Sequence, residues 1–186
     1  MLTTILIWAL ALLPFLNAMP TTPLSQPALE KRCSNVLQNP SFESGVSPWL
    51  EMAFGSWASF GVFTQSAGGH DGRNFYWGQS NATAAVSTLS VSQSAVRIPS
   101  GTTVECSVWV ASSRPGNVAS TAVEVFLDGI TCGSAAYLGT TGWVKVGGKI
   151  TANGDSHTFT VVITSDTTGP QGSQIWIDDA VLGASC

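Results

Sequence analysis

Short runs that alternate apolar and polar residues, separated by turn residues, recur through the second half of this chain and leave little room for anything but β-structure. Residues 104–111 (VECSVWVA), 122–127 (AVEVFL), 143–150 (WVKVGGKI), 157–164 (HTFTVVIT) and 174–182 (QIWIDDAVL) each read as a strand with one apolar face. No window shows the i, i+3, i+4, i+7 apolar stripe of a helix, and from residue 33 onward valine outnumbers leucine 17 to 6. The spacing of runs and turns is that of an all-β fold, a β-sandwich of two antiparallel sheets.

Period two also assigns faces. In the first run Val104, Cys106, Val108 and Val110 share the side expected to meet the core, while Glu105, Ser107, Trp109 and Ala111 share the other. The turn-rich residues 112–117 (SSRPGN) predict a hairpin between the first two runs, and Asp128-Gly129 turns the chain toward Cys132.

The chain of 186 residues carries 7 Lys+Arg against 11 Asp+Glu, a net charge of −4. With a pI near 4.9 it lacks the basic stripe that phosphate backbones or anionic lipids require, so neither nucleic acid nor membrane is expected as a partner. Residues 5–16 (ILIWALALLPFL) hold no ionisable group but are too few to cross a hydrocarbon core of about 30 Å at about 1.5 Å per helical residue. They read as the core of a signal peptide over residues 1–18, with Leu16-Asn17-Ala18 as the small-residue cleavage site. Residues 19–32, Pro-rich and closing on Lys31-Arg32, resemble a fungal propeptide with a dibasic processing site. The expected product is a secreted, extracellular domain of residues 33–186, with 5 positive and 10 negative groups and a net charge of −5.

All four cysteines lie in that domain, where an oxidising compartment favours disulfides. Of the three connectivities, Cys33–Cys186 and Cys106–Cys132 are expected. A zinc site is unsupported, because no CxxC occurs and His70 and His157 have no paired spacing. Asn81-Ala82-Thr83 is an N-glycosylation sequon, whereas Asn39-Pro40-Ser41 is excluded by its proline.

Several segments taken in order carry a further reading. Asn39-Pro40-Ser41-Phe42-Glu43, His70-Asp71-Gly72, Ser107-Val108-Trp109, Trp143 and Ile177-Asp178-Asp179-Ala180-Val181 together resemble the jelly-roll carbohydrate-binding modules of families 4, 9 and 22, a galactose-binding-like β-sandwich. The resemblance spans essentially all of 33–186. It departs at Val108, at Ala180 and over residues 51–65. It implies a jelly roll and a structural calcium ion (Ca2+) tying the first strand to the last, with Glu43 and Asp178 as ligands. Asp71 and Asn74 lie in the turn that would supply further oxygens. Alternation along the strand sends Asp178 and Asp179 to opposite faces, so only one is expected in a given site.

The resemblance further implies a neutral polysaccharide or cell-wall glycan as partner, bound in a cleft on one sheet by aromatic stacking. Flat rings cover the apolar C–H face of a pyranose and polar groups meet its edges. Trp49 and Trp143 match structural positions of the family and are expected in the core. Trp57, Tyr76 and Trp109 are the candidate platforms, with Glu105 and Glu124 as edge contacts on neighbouring strands. Two other classes compete. A small glycoside hydrolase needs paired carboxylates about 5 to 9.5 Å apart, and Glu105 with Glu124 is the one pair to nominate. A cell-wall or host-surface interaction protein, effector-like, shares the fold and differs in what it binds. A Ser-His-Asp or Cys-His nucleophile system finds no support.

Overall fold

The computed structural model describes residues 34–66, 68–81, 86–113, 121–139, 141–165 and 172–183. The chain divides into Met1–Lys31 and Arg32–Cys186, and every described residue belongs to the second unit. The expected signal peptide, propeptide and Cys33–Cys186 bridge lie outside the described residues.

The strands, in chain order, are β1 (Leu50–Phe54), β2 (Trp57–Thr64), β3 (Asn74–Ser80), β4 (Ser87–Arg97), β5 (Thr103–Ser113), β6 (Thr121–Leu127), β7 (Ile130–Thr131), β8 (Ala136–Leu138), β9 (Thr141–Thr151), β10 (Ser156–Ser165) and β11 (Gln174–Gly183). They form two antiparallel sheets. One runs β2-β3-β11-β5-β9; the other runs β1-β4-β10-β6-β7, with β8 also on β6. This is the β-sandwich expected from the alternation, in the jelly-roll form that the resemblance implied, and the five runs read from sequence coincide with β5, β6, β9, β10 and β11.

The core lies between the sheets. Val104, Cys106, Val108 and Val110 of β5 are buried from one side, and Val123, Val125 and Leu127 of β6 from the other. Each fully buried apolar side chain of this size contributes about 1.5–3 kcal/mol. The expected β5–β6 hairpin is corrected: β5 pairs with β9 and β11, whereas β6 pairs with β10, β7 and β8. Two strands with equally apolar inner faces satisfy burial as well across the core as side by side, and here the chain changes sheets between them. The Cys106–Cys132 disulfide joins β5 to the residue following β7, linking the two sheets across 26 residues of sequence. A loop of that size contributes about 3.5 kcal/mol in the chain-entropy model.

Two local features fix the ends of the sandwich. Asp128 and Gly129 both adopt positive φ (52° and 77°), the conformation that a two-residue hairpin turn between β6 and β7 demands. Behind this turn the side chain of His157 is wholly buried, with Nδ1 2.6 Å from Asp128 Oδ2 and Nε2 facing the carbonyls of Ile98 (3.2 Å) and Gly154 (2.9 Å). A ring whose two nitrogens meet only acceptors is satisfied as the imidazolium. Burial opposes that charge, but the Asp128 carboxylate and the two carbonyls outweigh it, and the His157 pKa rises. Burial likewise opposes ionisation of Asp128, yet hydrogen bonds from His157 and from the Thr158 amide hold its pKa below the usual range.

The pH dependence follows from both signs. Asp128 stabilises the fold above its ordinary pKa of 3.8, and that contribution disappears as pH falls through its lowered value; His157 stabilises below 6.5, lost as pH rises through its raised value. The pair is therefore fully effective between those two ordinary values. In denaturant titrations near pH 5, His157→Gln is expected to lose about 2 kcal/mol, the scale of a charged hydrogen bond. The loss shrinks toward pH 9; a loss that is constant with pH contradicts the assignment.

Candidate functional site

The site is built on the outward face of the five-stranded sheet. Tyr76, Gly78 and Ser80 of β3 point inward and are buried, so Phe75, Trp77 and Gln79 point outward. The same phase on β11 buries Ile175 and Ile177 and turns Gln174 and Trp176 out. On β9, Val144 and Val146 pack against the core side, which sends Trp143 and Lys145 outward. Trp77 and Trp176 are cross-strand neighbours, flanked in register by Gly61 on β2 and Ala111 on β5. The small Ala111 lies between the rings of Trp176 and Trp143, which leaves a groove over it.

The groove has two adjoining parts. Phe63, Gln65, Trp77, Gln174 and Trp176 line a cavity of ≈ 240 Å³. Gln65 and Trp176 continue into the next, of ≈ 280 Å³, completed by Trp143, Ala111, Phe75 and Gly68. Phe63 leans on Trp77 with ring centroids 6.0 Å apart. Among the described residues no ionisable side chain lines either part; the polar groups are the amides of Gln65 and Gln174. Uncharged rings and amides suit a ligand with apolar faces and hydroxyl edges.

One end of the groove is set by the loop before β3. The Asp178 carboxylate is fully buried, and its Oδ2 accepts the backbone N–H groups of His70 (2.7 Å) and Asp71 (3.2 Å). Burial pushes its pKa up to about 6, the charge of Asp179 adding and the backbone donors subtracting. Glu43 Oε1 holds the far end of the loop through the N–H groups of Arg73 (2.8 Å) and Asn74 (2.9 Å). Held this way, the His70 ring stacks on Trp109 at 4.0 Å and 15°, meets Trp143 edge-on at 5.8 Å, and places Nδ1 2.5 Å from Asp179 Oδ2. Ser41 Oγ hydrogen-bonds the other Asp179 oxygen.

Several expectations change here. The strict alternation of Asp178 and Asp179 fails because β11 is bulged between Asp178 and Val181, with Asp179 at φ 45°. Both carboxylates therefore reach His70, one through its backbone and one through its ring. Tyr76 is no platform: it is wholly buried between Phe42 and the core, and its hydroxyl has no hydrogen-bond partner among the described residues. Burial raises its pKa above the ordinary tyrosine range, and the Glu51 carboxylate adds to the rise without hydrogen-bond geometry. Trp57 is partly buried against the core, its Nε1 donating to the carbonyls of Phe54 and Thr88. Trp109 does face outward, but His70 occupies its ring face.

Trp49 is in the core as expected, at 5% exposure, whereas Trp143 is not; it lines the groove. Glu105 lies outward on β5, ion-paired with Lys145, and Glu124 lies outward on β6 opposite Val162. They occupy the outer faces of different sheets, so they form no acid pair. Asn81 is exposed, and the rest of its sequon lies outside the described residues. Sequence reasoning missed Phe63, Trp77 and Trp176. The alternation of Ile175-Trp176-Ile177 already carried the signal for the last.

The oxygens expected to hold calcium are partly assembled. A Cβ on Gly69 would come within 3.0 Å of Asp178 Oδ2 and of the carbonyls of Asn74 and Asp71, an all-oxygen niche that only glycine leaves open. The donor set fits a hard cation in kind. It uses main-chain oxygens of Asp71 and Asn74 rather than their side chains; the Asn74 amide is spent on the carbonyls of Phe42 and Glu43. No cluster of three or more His, Cys, Asp or Glu side chains suited to a metal occurs among the described residues.

A scan against protein-family models and a search of curated proteins each found no match. Solved structures do match. A family 61 carbohydrate-binding module in complex with β-1,4-galactotriose superposes with a TM-score of 0.58 at 21% identity, covering 82% of this chain and 99% of that one. A family 16 carbohydrate-binding module gives 0.54 at 15%, over 80% and 99%. The CBM22-1 xylan-binding domain from Paenibacillus barcinonensis gives 0.53 at 16%, over 83% and 97%. At these identities the likeness establishes the fold: a jelly-roll sandwich of the kind found in carbohydrate-binding modules.

The outward phase of the groove aromatics has a direct consequence for stability. Trp176→Ala is expected to cost about 1 kcal/mol, while Tyr76→Ala costs about 3–5 kcal/mol by opening a core cavity. Chemical denaturation of both variants checks this, and equal losses would place Trp176 in the core.

Proposed function

We propose that this protein is a secreted, non-catalytic carbohydrate-binding module that takes a neutral polysaccharide along the groove of the five-stranded sheet. The observation that carries this is the uncharged row of outward rings, Trp77, Trp176 and Trp143, edged by Gln65 and Gln174. Pyranose faces stack on the indoles and the amides meet ring hydroxyls. At about 25 cal/mol per Å² of apolar area, two stacked rings supply a useful affinity without charge. The named ligands of the structural neighbours, β-1,4-galactotriose and xylan, support a β-1,4-linked backbone. The separation of Glu105 and Glu124 removes the acid pair on which the hydrolase alternative rested.

Calcium belongs to the same reading. Asp178 Oδ2 and the carbonyls of Asp71 and Asn74 would hold it, with Glu43 gripping the loop from its other end. Its charge would offset the burial of Asp178 and stiffen the loop that carries His70. Chelator is then expected to lower the melting temperature of the wild type by several degrees and to leave Asp178→Asn unaffected. Unchanged wild-type melting contradicts the site.

Protein secreted from a eukaryotic host, expected to begin at Cys33 and to carry glycan on Asn81, is the sample for the binding test. In native affinity gels it should be retarded by soluble xylan or β-1,4-galactan and release no reducing sugar. Trp176→Ala should weaken retardation about tenfold, roughly 1.4 kcal/mol. Retardation by no member of a broad glycan panel overturns this function and leaves the surface-interaction reading.

A further inference from the structure

The same sheet face carries a second pocket, beyond Trp109 and His70, with different chemistry. It encloses ≈ 320 Å³ between Glu105, Ser107, Lys145, Gly147, Gly148 and Lys149. In a chain of net charge −4, Lys145 and Lys149 are the only lysines after residue 31, and both line this one pocket. The floor is bare backbone by necessity: Gly147 has φ +118°, and a Cβ there would lie 2.7 Å from Ser107 Cα.

The charges do not cancel. Glu105 Oε1 is taken by Lys145 and by Ser107 Oγ. Lys149 faces Glu105 across the β5–β9 pairing and adds to the field that favours its carboxylate, while the close contact to Glu105 is made by Lys145. Two ammonium groups against one carboxylate leave a single surplus positive charge. A cross-strand ion pair needs only one lysine.

We propose that this pocket is a subsite for the carboxylate of a uronic-acid branch borne on the otherwise neutral glycan backbone, an inference that rests on the groove binding that backbone. One surplus charge matches a monoanionic sugar carboxylate, whereas a phosphate dianion would overcompensate it. Trp143 and Lys145 are two residues apart on the outward face of β9, about 7 Å along the strand. A branch that leaves a sugar stacked on Trp143 and follows β9 past the His70 ring reaches Lys145 first and Lys149 beyond it.

The test uses uronate-bearing xylan and pectic galactan, each before and after chemical reduction of its carboxyl groups to alcohols. Wild type is expected to bind the acidic polymers about threefold tighter than the reduced ones at low ionic strength, the scale of one exposed ion pair. That preference should vanish in Lys149→Gln and at high salt, with affinity for the reduced polymers unchanged. Equal affinity before and after reduction, or a preference that survives Lys149→Gln, overturns the subsite while leaving the groove intact. Retardation by no glycan of either kind overturns both.

Discussion

The site depends on one buried carboxylate. Asp178 gives its Oδ2 to two successive backbone amides, of His70 and Asp71, and so fastens the loop ahead of β3 onto the last strand. Everything at that end of the groove depends on the attachment. It brings the His70 ring over Trp109, sets it edge-on to Trp143, and gathers the carbonyls of Asp71 and Asn74 beside Gly69. The arrangement is costly in isolation, since burial drives the Asp178 pKa up to about 6. Such a group is stabilised where charge of opposite sign or further donors reach it.

The remainder of the face is set by the pleat. A strand with one side in the core must present its other side to solvent or to a ligand, so the same alternation that buries Ile175 and Ile177 displays Trp176. Rings mounted on strands in the middle of a disulfide-linked sandwich are held more firmly than rings on loops, and a binding surface of this kind needs little reorganisation. The polarity of the face changes along its length, from rings and amides near Trp176 to lysines and a glutamate near Gly147.

The strands and much of the core were legible because period two is a strong signal where only one face is apolar. VECSVWVA places Val104 to Val110 inside without ambiguity, and Asp128-Gly129 announces its turn. The phase of NFYWGQS was not legible, since both of its faces carry aromatic residues; it is decided by tertiary neighbours, Ser80 hydrogen-bonding Ser165 and Ser173 inside while Trp77 pairs with Trp176 outside. Strand partnership was hidden for a related reason. The inner faces of β5 and β6 are chemically alike, and nothing in either run distinguishes an in-sheet neighbour from one across the core. The bulge at Asp179 breaks the very rule by which the two aspartates were assigned to opposite faces.

The most direct measurement is a titration of the protein with β-1,4-linked xylo- and galacto-oligosaccharides, followed through the indole N–H resonances of its tryptophans. Shifts confined to Trp77, Trp143 and Trp176, with Trp49 and Trp57 unmoved, are the expected result. Shifts centred on Trp57, or none in the groove while the sugar binds, contradict the account.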